Sequence, residues 1–246
     1  MHYAIGDLHG QLPVLEALLK KIDYKPDEDY LYFLGDYTDW GIQNMETLLY
    51  VMDLEKNNDK VFALLGNHDL MMYQCITSLS EMLRTKAHAS QWAMNKGDVT
   101  LDEFLMLPLA QKDEVEDWLY ERPTELFVSV GDKRFWVTHG IPSFVAEERC
   151  HVESEMDKIE RSVWYRPTSM ESFDDIPALE GCRIIRGHSI TDSRRVEEWS
   201  NGIINIDCGA KVLAVLVFSE QLSPVLRLFP SCLGSFLGSL KHCYLS

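Results

Sequence analysis

Five short apolar runs in this chain each break off at a motif that opens on or contains Gly, His and Asp. The motifs are GDLHG (Gly6–Gly10), GDYTDWG (Gly35–Gly41), GNHD (Gly66–Asp69), THG (Thr138–Gly140) and RGHS (Arg186–Ser189). No other feature narrows the possible folds so far. A run of three to six β-formers ended by a turn residue reads as a strand. Between the first of them lie segments of helical periodicity: strand 3–5, helix 12–22, strand 30–34, helix 45–54, strand 61–65. That alternation is the signature of an α/β sheet. In such a sheet ligands bind beyond the carboxyl ends of the strands, where loops converge on a rigid support. The five strand ends therefore predict one site holding Asp7, His9, Asp36, Asn67, His139 and His188.

Further along, residues 75–121 read as a polar helical insert with Trp92, Leu101, Phe104, Leu105, Trp118 and Leu119 as apolar points. Strands return at 126–130 and 135–138 across Gly131-Asp132, a hairpin-turn dipeptide. Residues 143–180, broken by Pro142, Pro167 and Pro177, read as mostly irregular. The last strand-like runs are 183–185, 203–206 and 212–218. With neither repeat nor Pro-, Gly- or Ser-rich linker, 1–220 reads as a single domain, followed by a tail, 221–246, whose role the sequence does not spell out.

Charge limits the partners. The 246 residues carry 39 acids against 23 Lys and Arg, a net charge of −16. This opposes broad contact with nucleic acid or an anionic membrane. No apolar run approaches the ~20 residues needed to span a bilayer. The six cysteines (75, 150, 182, 208, 232, 243) form no CxxC pair. They read as reduced thiols in a cytoplasmic protein, and Cys208 as a small buried apolar residue.

Three imidazoles, two carboxylates and an amide form a mixed N/O donor set suited to Mn, Fe or Zn. The set exceeds one ion's needs and matches a pair of ions ~3.5–4 Å apart sharing a carboxylate, which clamps the attacking and leaving oxygens of a phosphoryl transfer. Any one of these motifs alone is as well explained by a turn residue or helix cap. Five turns placing metal-ligand types at five strand ends by accident is not a comparable explanation.

The run GDxHG, GDxxD, GNHD, HG and GH resembles the phosphoprotein phosphatase branch of the calcineurin-like metallophosphoesterases, in its bacterial form. WAMNKGDVTL (Trp92–Leu101), similar to the family's W-x-x-N-G-G-x-x-T-L, together with WYRP (Trp164–Pro167) and INIDCGA (Ile204–Ala210), extends the resemblance over about residues 1–218. It implies a four-layer α-β-β-α sandwich with two metals at its mouth. Asp7, His9 and Asp36 would hold the first ion, and Asp36, Asn67, His139 and His188 the second, with Asp36 bridging. A hydroxide between the ions would attack phosphorus directly. His68 would be the general acid, with Asp39 as its partner, and Arg166 and Asn67 would contact phosphate. Manganese is the expected metal.

One departure stands out. Where the family's GDxxDRG has arginine after Asp39, this chain has Trp40. Losing one charge-assisted contact weakens phosphate binding by ~1.5–3 kcal/mol, while an indole offers a stacking face in exchange. Arg183, Arg186, Arg194 and Arg195 read either as compensating cations or as a solvated basic face. The leading expectation is a serine/threonine protein phosphatase acting on a phosphoprotein. The alternative is a dinucleoside polyphosphate hydrolase of the diadenosine tetraphosphate type, with Trp40 under a base. Its symmetric subtype is disfavoured because those relatives typically carry Asn in place of Asp39. A third expectation is a phosphate-binding module weakened in catalysis.

Overall fold

The computed structural model describes residues 1–77, 91–167, 172–209, 212–218 and 225–230. Elements follow the expected order through the first third: β1 (His2–Ile5), α1 (Leu12–Lys21), β2 (Tyr30–Phe33), α2 (Asn44–Lys56), β3 (Val61–Ala63) and α3 (Asn67–Thr77). Then come α4 (Gly97–Leu105), α5 (Leu109–Tyr120), β4 (Glu125–Val130), β5 (Lys133–Thr138), α6 (Ser143–Arg149) and α7 (Glu155–Trp164). The chain continues through β6 (Cys182–Arg186), β7 (Glu197–Glu198), β8 (Ile203–Asn205), β9 (Val212–Phe218) and β10 (Val225–Pro230).

The strands form two five-stranded sheets, ordered β10-β9-β1-β2-β3 and β4-β5-β6-β8-β7. β1, β2 and β3 run parallel, with Ile5 opposite Phe33 and Phe33 opposite Ala63; β5, β6 and β8 do likewise in the second sheet. Strands buried on both faces need apolar side chains at nearly every position, and the pleat sorts them. Ala4, Tyr32 and Leu34 meet Phe135, Val137, Ile185 and Ile204 between the sheets. Their neighbours Ile5, Leu31 and Phe33 pack outward on Leu15, Leu18, Leu48 and Met72 of α1–α3. On the far side, Ile184 and Ile203 pack on Val145 and Ala146 of α6. The result is helix, sheet, sheet, helix, the four-layer arrangement the resemblance implies.

One expectation is corrected. Residues 143–164 are not irregular but carry two helices, α6 and α7. Pro142 sits at the N-cap of α6 and Pro167 beyond the end of α7, so the prolines bound these helices rather than break them. Ser154 caps α7, its Oγ accepting the Asp157 N–H at 3.1 Å. The described part of 221–246, residues 225–230, is β10, an antiparallel edge strand on β9. Among the described residues no helix is long and apolar enough to cross a membrane, and no disulfide joins the cysteines. Cys208 is buried, and that burial pushes its thiol up to about 12, as expected of an inert packing residue; Cys232 and Cys243 lie outside the described residues.

Candidate metal centre

Each motif begins where a parallel strand ends. β1 delivers Asp7 and His9, β2 Asp36, and β3 Asn67 and His68, while β5 and β6 of the second sheet deliver His139 and His188. Crowding explains two of the motif glycines. A Cβ on Gly66 would stand 2.2 Å from Asp36 Oδ1, and one on Gly187 would stand 2.3 Å from Asp7 Oδ1. The backbone itself is strained here. His9, Asp36, Asp39, Trp40 and His188 all take left-handed φ, between 45° and 70°, at a cost of ~1–3 kcal/mol each that surrounding packing must offset.

Imidazole tautomers decide what the centre can hold. His139 Nδ1–H donates to the Leu34 carbonyl at 2.8 Å, which leaves Nε2 as a bare lone pair. That lone pair faces Asn67 Oδ1 at 3.0 Å and Asp36 Oδ2 at 3.5 Å, and His188 Nδ1 approaches the same amide oxygen at 2.7 Å. His9 Nδ1–H donates to the Thr38 carbonyl at 2.9 Å, and its bare Nε2 faces Asp36 Oδ2 at 3.7 Å. The bare Nε2 atoms of His9 and His139 both face Asp36 Oδ2, and acceptors facing an acceptor repel unless a cation lies between them. The carbonyl partners on Nδ1 are the outer contacts that orient metal-binding histidines.

Two groups emerge, His9–Asp36–His68 and Asp36–His139–His188, each with ligand atoms within 4.8 Å of one another. Both contain Asp36. Burial pushes the carboxyls of Asp7 and Asp36 well above their ordinary range, with Asp207 adding to the first and Asp7 to the second. Burial also drives His139 and His188 well below the histidine range and His9 down to about 4. Neutral imidazoles beside carboxylates that resist ionisation are what a divalent cation reverses on the acids and exploits on the bases. The donor set therefore fits two cations sharing Asp36. Asp7 belongs to neither group but accepts the His188 backbone N–H at 3.2 Å and lies near enough to Asp36 to raise its carboxyl.

His68 falls within the first group by distance, yet its Nδ1 is engaged by Asp39 Oδ2 at 2.6 Å. The expected pairing of the two is thus present. Sequence reasoning gave no role to three residues that hold this site. Asp69 takes three backbone N–H groups, from Asp36 (2.7 Å), Gly66 (2.8 Å) and Tyr37 (3.1 Å), and so staples the Asp36 loop to the first turn of α3. Trp92 Nε1 and Thr100 Oγ1 donate to Asp39 at 2.8 and 2.5 Å. All three stand inside quoted motifs, which was the available signal.

Arg166 is exposed and donates from Nη2 to the His188 carbonyl at 3.2 Å, which sets its guanidinium beside the second group. Trp40 is 57% exposed, with the Lys96 ammonium 6.0 Å from its ring centre. Arg186 does not compensate for the missing arginine. It is fully buried, donates to the Gly140 carbonyl at 2.5 Å and to Ser189 Oγ at 3.3 Å, and lies over the Phe173 ring. Arg183 is paired with Glu198.

Residues 3–195 match the calcineurin-like phosphoesterase family. The chain is 36% identical over 121 residues to a symmetrical bis(5'-nucleosyl)-tetraphosphatase of Marinomonas sp. (strain MWYL1), a match covering 49% of this chain and 38% of that one. It is 26% identical over 206 residues to an enzyme of the same name from Actinobacillus pleuropneumoniae serotype 3 (strain JL03), covering 83% and 65%. In both cases the chain spans less than two thirds of the relative's length. Among solved structures, a protein provisionally named diadenosine tetraphosphatase superposes with a TM-score of 0.63 at 18% identity, covering 95% of this chain and 94% of that one. A cold-active protein-tyrosine phosphatase from a Shewanella species gives 0.60 at 20%, covering 94% and 78%. At such identities these two speak for the fold alone. Since the family match spans well over half of the sequence, this chain belongs to the calcineurin-like phosphoesterases.

Proposed function

We propose that this phosphoesterase hydrolyses dinucleoside polyphosphates of the diadenosine tetraphosphate class. The observation that carries the chemistry is the shared Asp36 carboxylate flanked by bare imidazole nitrogens, with the His68–Asp39 pair alongside. On this reading Asp7, His9 and Asp36 hold one cation and Asp36, Asn67, His139 and His188 the other, manganese being the metal to try first. When bound, the two cations activate water and neutralise phosphate charge. Arg166 and the Asn67 amide orient the scissile phosphate. His68 gives its Nε2 proton to the departing oxygen, while Asp39 holds Nδ1–H. The catalytic unit is one domain over about 1–220, with β10 added at its sheet edge and with Trp92 and Thr100 of the helical insert at about 75–121 reaching Asp39, working in the cytoplasm.

The substrate class reverses the order of the sequence expectations. It is supported by the names of the relatives and by Trp40, whose exposed ring and overlying Lys96 ammonium offer a base a stacking face and a polyphosphate a cation. A serine/threonine protein phosphatase is the second reading, favoured by aspartate rather than asparagine at position 39. The test is product analysis by anion-exchange chromatography, with Mn²⁺, on diadenosine tetraphosphate and a phosphothreonine peptide. Nucleotide products, with kcat/KM at least tenfold above the peptide, are expected. Preference for the peptide would install the second reading, and no turnover of either with metal bound would favour a binding module.

A further inference from the structure

Asp39 is a fully buried carboxylate that takes two of its three side-chain donors from the insert. Its Oδ2 accepts from His68 Nδ1 (2.6 Å) and Trp92 Nε1 (2.8 Å), and its Oδ1 from Thr100 Oγ1 (2.5 Å). Indole N–H can only donate. Oδ2 is therefore held as an acceptor between two N–H groups, which fixes the proton of His68 on Nδ1 and aims Nε2 away from Asp39. Thr100 occupies the other oxygen and stops the carboxylate from turning. Gly97 completes the device: a Cβ there would lie 2.3 Å from three atoms of the Trp92 indole, so no other residue leaves the indole in place. Lys96 enters α4 with a left-handed φ of 71°, which brings Gly97 beneath the ring.

We propose that Trp92, Gly97 and Thr100 are positioning residues for proton delivery to the leaving group, acting through Asp39 on His68. This rests on the reading of His68 as that proton donor. In the step served, the P–O bond to the leaving oxygen breaks with its electron pair, and that oxygen takes the Nε2 proton of a His68 ring protonated on both nitrogens, which leaves the ring neutral with Nδ1–H on Asp39. The oxygen of an attacking water forms the new P–O bond and releases one proton to solvent, and solvent returns one to Nε2. The segment 91–105 is on this account part of the catalytic apparatus, and its W-x4-G-x2-T spacing is the clamp.

The experiment compares phenyl phosphate, a poor leaving group that needs the proton, with dinitrophenyl phosphate, a good one that does not, using the Mn²⁺-loaded enzyme. His68→Asn is the reference and should lose ~10²-fold or more in kcat on phenyl phosphate, the usual worth of a general acid, and less than threefold on dinitrophenyl phosphate. Trp92→Phe, Thr100→Val and Gly97→Ala should each lose about tenfold on the first substrate and little on the second, with metal content unchanged, and Thr100→Ser should restore the wild-type ratio. Equal losses on both substrates in the insert variants would reduce the clamp to a structural role and overturn the proposal. If His68→Asn alone shows the leaving-group dependence, the clamp fails while the donor reading stands. If His68→Asn loses equally on both, the donor reading itself fails.

Discussion

Replacing Asp69 with asparagine changes one atom in a carboxylate that takes three backbone N–H groups beside the metal centre. Asp36 N–H and Gly66 N–H donate to Oδ2, and Tyr37 N–H to Oδ1. The amide keeps two of these bonds by placing its oxygen at Oδ2, but its NH2 group then faces the Tyr37 N–H. One charge-assisted bond is lost at ~1.5–3 kcal/mol, and the other two fall to neutral strength at a cost of ~1 kcal/mol each. Removing a buried charge returns part of this, since burial has pushed the Asp69 carboxyl up to about 6. The net expectation is ~2–3 kcal/mol of lost stability. Urea unfolding of metal-free Asp69→Asn should show a lower midpoint at unchanged slope. Because Asp36 N is one of the three anchored groups, kcat/KM should also fall by ~10² or more, as a small displacement of a reacting centre can cost. A wild-type midpoint together with wild-type kcat/KM would refute the idea that Asp69 holds the Asp36 loop.

Three further outcomes are expected. Chelation with EDTA should abolish activity and lower the melting temperature, and Mn²⁺ at a hundredfold excess over its Kd should restore ~2.7 kcal/mol per site; calorimetry would read this as a rise of ~5–10 °C for each site filled, and no rise would count against the centre. Trp40→Arg should raise kcat/KM for p-nitrophenyl phosphate by at least ~10-fold, the equivalent of one regained charge-assisted contact, while lowering it for diadenosine tetraphosphate; an unchanged pair of values would dismiss Trp40 from recognition. His2 stacks on Tyr30 with its Nδ1 2.9 Å from the Tyr32 hydroxyl, and burial lowers it to about 4 from an ordinary 6.5. The unfolded chain takes up that proton first, so stability falls as pH drops from 6.5 towards 4, by ~1–2 kcal/mol after allowing for partial exposure. His2→Phe should flatten that part of the pH–stability curve, and an unchanged slope would be the contrary result.

Legibility from sequence followed the range of the interaction. β1, β2, β3, β5 and β6 could be read because each is a local apolar run with a motif at its end, and the ligand-type residues could be read because they sit at those ends. α6 and α7 were hidden by Pro142 and Pro167, which sit at helix limits that a list of breakers cannot tell from interruptions. β10 runs from Val225 to Pro230, a short run that ends on no motif and so gave no signal. The clamp was out of reach for another reason. Trp92 and Thr100 meet Asp39 across 53 and 61 residues, and Asp69 reaches Asp36 across 33. Such closures leave no periodicity behind. Trp92 and Thr100 looked like marks of kinship, Asp69 the last letter of a motif, and only the fold gives them work. The same holds for Arg186, a candidate phosphate ligand by proximity to His188 in the chain, which folding turns inward onto carbonyls.

The central claim is that two divalent cations share Asp36. Metal stoichiometry measures it directly: protein dialysed against Mn²⁺ and assayed by mass spectrometry of the metal, wild type beside Asp36→Asn. The account predicts two equivalents per chain for the wild type and fewer than one for the variant. A single equivalent in the wild type, or two retained by Asp36→Asn, would contradict it.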